Sequence, residues 1–250
     1  MGSHQADLAA VYDQTRRRLA EFVASLPEPD LARQVPATPD WTIKDVIGHL
    51  VGNVVNLLRD DFPVAFFAAF GQPAQVAELN EWTARMVAER REAGLPELLA
   101  EWETSIPAVV GMLRGETALP DKVPPYVGSI MVTDLGAHQL DIYGALGLVR
   151  DRDSAPVRIG ISGYVASSSV RLGGSPPLRL QAEDKTYLMG PGEPGATVTI
   201  ASRFELFRAL SGRRSANQVR GYDWDGDPEP YVALFYPYGP RADSLVEPTS

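Results

Sequence analysis

Trp41-Thr42-Ile43-Lys44-Asp45-Val46-Ile47-Gly48-His49-Leu50, continuing through Val51, Val54 and Leu58, is the stretch on which the fold turns. Thr42 can accept a hydrogen bond from a free amide at a helix start, and Asp45 three residues later can answer it, which is the capping-box pattern. Ile43, Val46, Ile47, Leu50, Val51, Val54 and Leu58 then recur at the helical period, so the segment is predicted to be an amphipathic helix. A wheel of it places Asp45, His49, Asn53 and Asn56 on one strip, away from the Val and Ile face. His49 stands out because the chain has only three histidines in 250 residues. A second one sits in a similar setting, Thr133-Asp134-Leu135-Gly136-Ala137-His138-Gln139-Leu140-Asp141. Each has a carboxylate four residues before it.

Residues four apart lie on one face of a helix, so Asp134 and His138 point the same way, and Asp141 one turn on shares their stripe. Ala137 and Ala145 leave room beside it. Two polar stripes facing each other across a bundle make a cleft in which His49, His138 and Asp134 offer two nitrogens and one oxygen. That set leaves a coordination position open for water or substrate, the catalytic rather than the structural type of metal site. Spacing equally allows plainer roles: a solvated histidine, a capping residue in Asp45, a hydrogen-bond partner of His138 in Asp141, or an Asp134–His138 ion pair.

Outward from these two segments, the first part of the chain reads as helical. Residues 6–26 form an amphipathic pattern ended by Pro27, residues 79–93 and 96–114 form two more with Pro107 a break or kink in the second, and 127–146 form the last, stopped by Gly147 as a left-handed cap. A short apolar piece, Val64 to Phe70, follows Pro63. From about Asp153 the texture changes to dense Gly and Pro with short apolar runs, Leu178-Arg179-Leu180 and Ala196-Thr197-Val198-Thr199-Ile200, interrupted by one helix from Ser202 to Leu210. The expected fold is therefore α plus α+β: a four-helix bundle over residues 5–150, then a small α+β domain over 151–245, with the last several residues a loose tail.

Composition narrows the function. Hydrophobic residues make up 44% and charged residues 22%, ordinary for a folded chain. A formal net charge of -9 argues against a nucleic-acid backbone as partner. No run of roughly 18 apolar residues and no leader-like start are found, so the expected setting is cytoplasmic, without membrane. Zero cysteines exclude disulfides and thiolate ligands, so any metal must be held by His and carboxylates, and any thiol chemistry needs a thiol from outside. The opening Met-Gly-Ser-His looks like a tag remnant, and His4 is given no role.

The segment Pro36 to Leu50, with its tryptophan, threonine and helix carrying a histidine, resembles the mycothiol-dependent maleylpyruvate isomerase family, related to the DinB-like metal-binding four-helix bundles. Asp134 to Gly147 is similar to that family's later helix, with an acidic residue, a histidine four positions on and an Asp three further. Phe204 to Ser215 with Trp224-Asp225-Gly226-Asp227 resembles its sterol-carrier-protein-like C-terminal domain. The resemblance spans nearly the whole chain in order. It implies a divalent metal, most naturally zinc, on His49, Asp134 and His138, with Asp141 supporting His138, and mycothiol as co-substrate, deprotonated near neutral pH when bound to the metal. The family pattern has Glu at the acidic ligand, whereas this chain has Asp134, one methylene shorter. The implied activity is isomerisation or thiol conjugation of a small electrophile by a monomer or homodimer. The alternatives are a metal-dependent hydrolase using bound water and a non-catalytic ligand-binding or regulatory module of the same fold.

Other residues are lesser candidates. Arg213, with Arg214 beside it, and Arg85 could bind the thiol or a substrate carboxylate, although ion pairing at a helix end also accounts for the Arg213-Arg214 pair. Phe235-Tyr236-Pro237-Tyr238 could line a pocket, but a strand with a core face is the expected reading. The Gly-rich stretches match no nucleotide fingerprint, and Ser167, Ser168 and Ser169 have no histidine pattern for a serine hydrolase.

Overall fold

The computed structural model describes residues 2–63, 67 and 73–249. The apolar piece expected from Val64 to Phe70 lies outside the described residues except for Phe67. In chain order come α1 (Gly2–Ala24), α2 (Glu28–Leu31), the antiparallel pair β1 (Gln34–Val35) and β2 (Thr38–Thr42), α3 (Ile43–Leu58), α4 (Pro73–Ala88), α5 (Leu95–Leu113) and α6 (Val127–Ala145). There follow α7 (Ala155–Ser169), β3 (Leu178–Ala182), β4 (Lys185–Met189), β5 (Ala196–Ile200), α8 (Arg203–Leu210), α9 (Ala216–Arg220), β6 (Asp223–Asp225) and α10 (Glu229–Val232), with a 3-10 turn over Ala233–Phe235.

Helices α1, α3, α5 and α6 form the bundle, α1 and α3 each lying against both α5 and α6. Leu19 and Val23 of α1, Val46, Ile47 and Leu50 of α3, Trp102 and Val109 of α5, and Leu135 and Ile142 of α6 meet in its core. Each such aliphatic side chain contributes roughly 1.5–3 kcal/mol on burial, which holds four helices of modest propensity together. Helix α4 packs outside α3 at Gly52, where a Cβ would sit 2.5 Å from Met86 Sδ. It runs several residues earlier than the expected 79–93. Pro107 does not break α5; it is exposed, so the carbonyl deprived of its partner can be hydrated. Gly147 takes φ +73 after α6, the left-handed cap expected of it.

The later sheet has the order β4-β3-β5-β6, with β3 and β5 parallel and the outer pairings antiparallel. Leu178, Leu180, Ala182, Val198 and Ile200 all point to one buried face, where α7 and α8 join a second core. Helix α6 enters both cores: Met131, Leu135 and Ile142 face the bundle, while Ala137, Leu140 and Tyr143 belong to the second. A helix packed on both sides carries its polar groups into the interior, and His138 and Asp141 are accordingly buried.

Three expectations are corrected. Helix α7 is a second helix in the later part, where Ser202 to Leu210 was the one expected, because its glycines lower local propensity but admit close neighbours: a Cβ at Gly160 would lie 2.3 Å from the Phe207 ring. The Phe235–Tyr238 stretch is the end of a 3-10 turn rather than a strand, although Phe235 is fully buried. The C-terminal segment is not loose: Leu245 is buried, its carbonyl accepts from Gln218 Nε2 at 2.8 Å, and the Pro248 carbonyl accepts from Arg152.

Candidate metal centre

Helix α3 begins where its cap dictates. Thr42 Oγ1 accepts from the Asp45 amide at 3.1 Å and Asp45 Oδ2 accepts from the Thr42 amide at 2.9 Å. This also turns the chain sharply from β2 into the helix, placing Trp41 over the first two turns. Its indole lies 4.9 Å from the His49 ring and 5.9 Å from the His138 ring. The polar strip read on this helix divides: Asp45 caps, His49 and Asn53 face α6, and Asn56 is buried beside Met86.

Across from them, α6 presents Asp134 and His138. His49 Nε2 lies 3.3 Å from Asp134 Oδ2 and His138 Nε2 lies 3.5 Å from Asp134 Oδ1. One ligand atom from each of the three falls within 4.8 Å of the others. The shorter carboxylate of Asp134 thus reaches both imidazoles. Asn53 Nδ2 donates to Asp134 Oδ2 at 2.8 Å and stands 3.2 Å from His49 Nε2. Both histidines are buried, whereas the Asp134 side chain keeps 30% of its surface open.

Electrostatics divide the two imidazoles. Burial pushes His49 below its usual range and prevails over the attraction of Asp134. Burial acts in the same direction on His138, but the charges of Asp134 and Asp141 outweigh it and hold that ring above its usual value. Asp134 is held well below the carboxylate range; burial opposes this, and the two histidines win. The centre is therefore an anion-bearing, nitrogen-rich pocket that favours positive charge. Two imidazole nitrogens and a carboxylate oxygen, buried and convergent, fit a divalent cation with a further position open.

Asp141 backs this centre. Its Oδ2 lies 3.0 Å from His138 Nδ1 and accepts from Arg213 Nη2 at 2.8 Å, and its Oδ1 lies 2.7 Å from Arg208 Nη1. Burial raises the Asp141 pKa, but Arg213 and Arg208 more than reverse that and keep it ionised. An ionised acceptor at Nδ1 keeps the proton on that nitrogen and leaves Nε2 facing Asp134. Neither His49 Nδ1 nor His138 Nδ1 makes an aligned hydrogen bond among the described residues, so Asp141 acts on His138 as a charge 3.0 Å away, while His49 Nδ1 has no such neighbour in the ion pairs of the site.

The centre lines a cavity of about 840 Å³ bounded by both parts of the chain. Trp41, Trp82 and Tyr126 line it along with Tyr164, Tyr238 and Arg241 from the later part. Arg213 lines it too, but its guanidinium is engaged by Asp141 and by the Ser211 carbonyl at 2.7 Å. Arg85 is not brought to the site: it is exposed, pairs with Asp61 at 3.1 Å and does not line the cavity. Arg214 pairs with Glu205 and Glu247. Tyr238 takes the pocket-lining role that its segment allowed. Arg91 and Arg241 were missed as lining residues. Arg241 donates to the Ala37 and Pro36 carbonyls at 3.1 and 2.6 Å, tying the C-terminal part to the β1–β2 loop across more than 200 positions, for which no local pattern exists. Asn53 had a signal, since it lies four residues after His49 on the same strip.

Fold and cluster together define a helical-bundle protein with a candidate centre of two histidines and one aspartate. The chain belongs to the mycothiol maleylpyruvate isomerase N-terminal domain family, whose profile matches residues 12–143. Two solved structures share the fold: a histidine-to-alanine variant of the mycothiol-dependent maleylpyruvate isomerase and the mycothiol-dependent maleylpyruvate isomerase itself. The first is 13% identical with a TM-score of 0.58 over 88% of this chain and 92% of that one. The second is 14% identical with a TM-score of 0.57 over 84% and 89%. No curated protein matches the chain by sequence. Among the described residues, no helix is long and apolar enough to cross a membrane.

Proposed function

We propose that this protein is a metal-dependent enzyme in which a low-molecular-weight thiol, mycothiol by family, attacks an electrophilic small molecule. The observation that carries the reading is the convergence of His49, Asp134 and His138 within 4.8 Å on the wall of an 840 Å³ cavity. His49 and His138 offer Nε2 and Asp134 an oxygen, and the absence of cysteine suits zinc on a nitrogen and oxygen set. When bound, a divalent metal supplies a positive charge that brings the pKa of a thiol toward neutrality. Asp141 orients His138 through Nδ1. Trp41 covers both imidazoles and limits water at the centre. We take residues 5–150 as the metal-binding bundle and 151–245 as the α+β unit that completes the cavity, working in the cytoplasm.

Thiol attack on an activated double bond gives isomerisation after rotation and expulsion; attack at an epoxide or a leaving group gives conjugation. The purified protein, reconstituted with zinc, is expected to retain about one equivalent of metal, and His49→Ala to lose it. Turnover of a candidate electrophile is expected only with thiol present. Metal content unchanged in His49→Ala refutes the assigned centre, and turnover without thiol moves the reading to hydrolysis by bound water.

A further inference from the structure

The support of His138 does not end at Asp141. Arg208, which pairs with Asp141 Oδ1 at 2.7 Å, is completely buried, and its far edge is gripped by a carboxylate from the C-terminal segment. Arg208 Nε donates to Glu247 Oε2 at 3.0 Å and Nη2 lies 3.0 Å from Glu247 Oε1. The Glu247 side chain is only 6% exposed and also takes Arg214 Nη1 at 2.8 Å. Arg214 in turn is held by Glu205 at 2.7 and 2.6 Å. Three guanidiniums, of Arg208, Arg213 and Arg214, therefore interlock with three carboxylates, of Asp141, Glu205 and Glu247.

We propose that Glu247 is a positioning residue for the metal centre: it fixes Arg208 against Asp141, and through Asp141 it sets the orientation of His138. The inference rests on the metal reading of His49, Asp134 and His138. A guanidinium is a rigid planar fork, so gripping one edge fixes where the other edge points. With Glu247 gone, Arg208 and Arg214 become two buried cations that no longer share a carboxylate. Arg208 then has only Asp141 to neutralise it, and a buried charge that loses a partner moves to recover one. The space for this contact is provided on α6 itself. Gly144, three residues after Asp141, is where Glu247 crosses the helix, and a Cβ there would stand 3.2 Å from Glu247 Oε1. Leu245 and the Gln218 bond anchor the segment so that the carboxylate arrives in register.

The test is titration of the metal-free full chain with Co²⁺, read by its visible ligand-field absorption, with a competing chelator for affinity. The set is the wild type, Glu247→Gln and Glu205→Gln; the last removes a carboxylate from Arg214 without touching Arg208. Replacing a direct partner of a ligand typically costs about 10–100-fold in metal affinity, so one residue further out is expected to cost about three- to tenfold, with a changed absorption band. Glu205→Gln is expected to keep the wild-type band and affinity even as it loses thermal stability. If Glu247→Gln does not fold, Glu247→Asp, which keeps the charge but draws it back from Arg208, is expected to show a smaller shift of the same kind. A wild-type band and affinity in the Glu247 variants overturns the proposal, and so does an equal change in Glu205→Gln. A wild type that takes up no Co²⁺ overturns the metal reading itself.

Discussion

Asp141→Asn is the sharpest perturbation of the centre, because the substitution keeps shape and removes one charge. The Asp141 carboxylate is fully buried and meets three cation-forming groups, Arg208, Arg213 and His138. Arg208 keeps Glu247 as a second carboxylate, but Arg213 has no other carboxylate within pairing distance among the described residues and is left with the Ser211 carbonyl. The interlocked cluster goes from three charges of each sign to an excess of one buried cation. Breaking a buried pair in this way costs about 3–5 kcal/mol, and the lower figure applies here because Asn Oδ1 still accepts one guanidinium hydrogen bond. Against a typical total stability of about 5–15 kcal/mol the variant stays folded at 25 °C and unfolds at a clearly lower urea midpoint. His138 simultaneously loses the anion at Nδ1, so metal affinity is expected to fall about 10–100-fold. Urea unfolding monitored by tryptophan fluorescence, with chelator competition on the same samples, checks both. A loss under about 1 kcal/mol, the range of solvent-exposed pairs, refutes the picture of a dry charge cluster. Lost stability with unchanged metal affinity refutes the link from Asp141 to His138.

Two glycines of α7 should respond oppositely to alanine. Gly160→Ala places a Cβ 2.3 Å from the Phe207 ring, and about 1–3 kcal/mol of overpacking exceeds the roughly 1 kcal/mol gained in helix propensity. Gly163→Ala meets nothing closer than 4.0 Å and should raise the thermal midpoint; both variants rising together would show that the α7–α8 contact is looser than described. Glu205 gives the pH dependence: burial raises its pKa, but Arg214 and Tyr222 lower it below the ordinary 4.5 overall. A depressed folded-state carboxylate adds stability above its unfolded pKa and loses it as pH falls through the folded value. The stability gap between wild type and Glu205→Gln should therefore be full at neutral pH, begin to narrow as pH falls past the ordinary value of 4.5 and close below the depressed folded value; a gap independent of pH sinks this assignment.

What the sequence disclosed follows the range of the interactions. The start of α3, its buried face and the Gly147 cap depend on residues within four positions of each other, and all are present as read. The Asp134–His138 pair is likewise an i,i+4 relation, and its convergence with His49 needed only that α3 and α6 be neighbours in a bundle. Helix α7 escaped because its stability comes from outside itself. Gly160 and its low-propensity neighbours are poor helix formers in isolation, and it is the closeness of Phe207 and Thr133 that makes a small residue the right one there. The same holds for the C-terminal segment, which has no local pattern at all. Glu247 reads as one more surface acid until α8, the Arg213-Arg214 turn and α6 are brought together around it. Arg213 shows the two scales meeting: a helix-end arginine by its neighbours in sequence, it becomes part of the centre only because Asp141, 72 positions earlier, faces it. Short-range patterns thus pick out the three converging side chains and Asp141 behind them, while the pairing of Arg208 and Arg213 with Asp141 and the arrival of Glu247 are set by the tertiary fold and have no local signal.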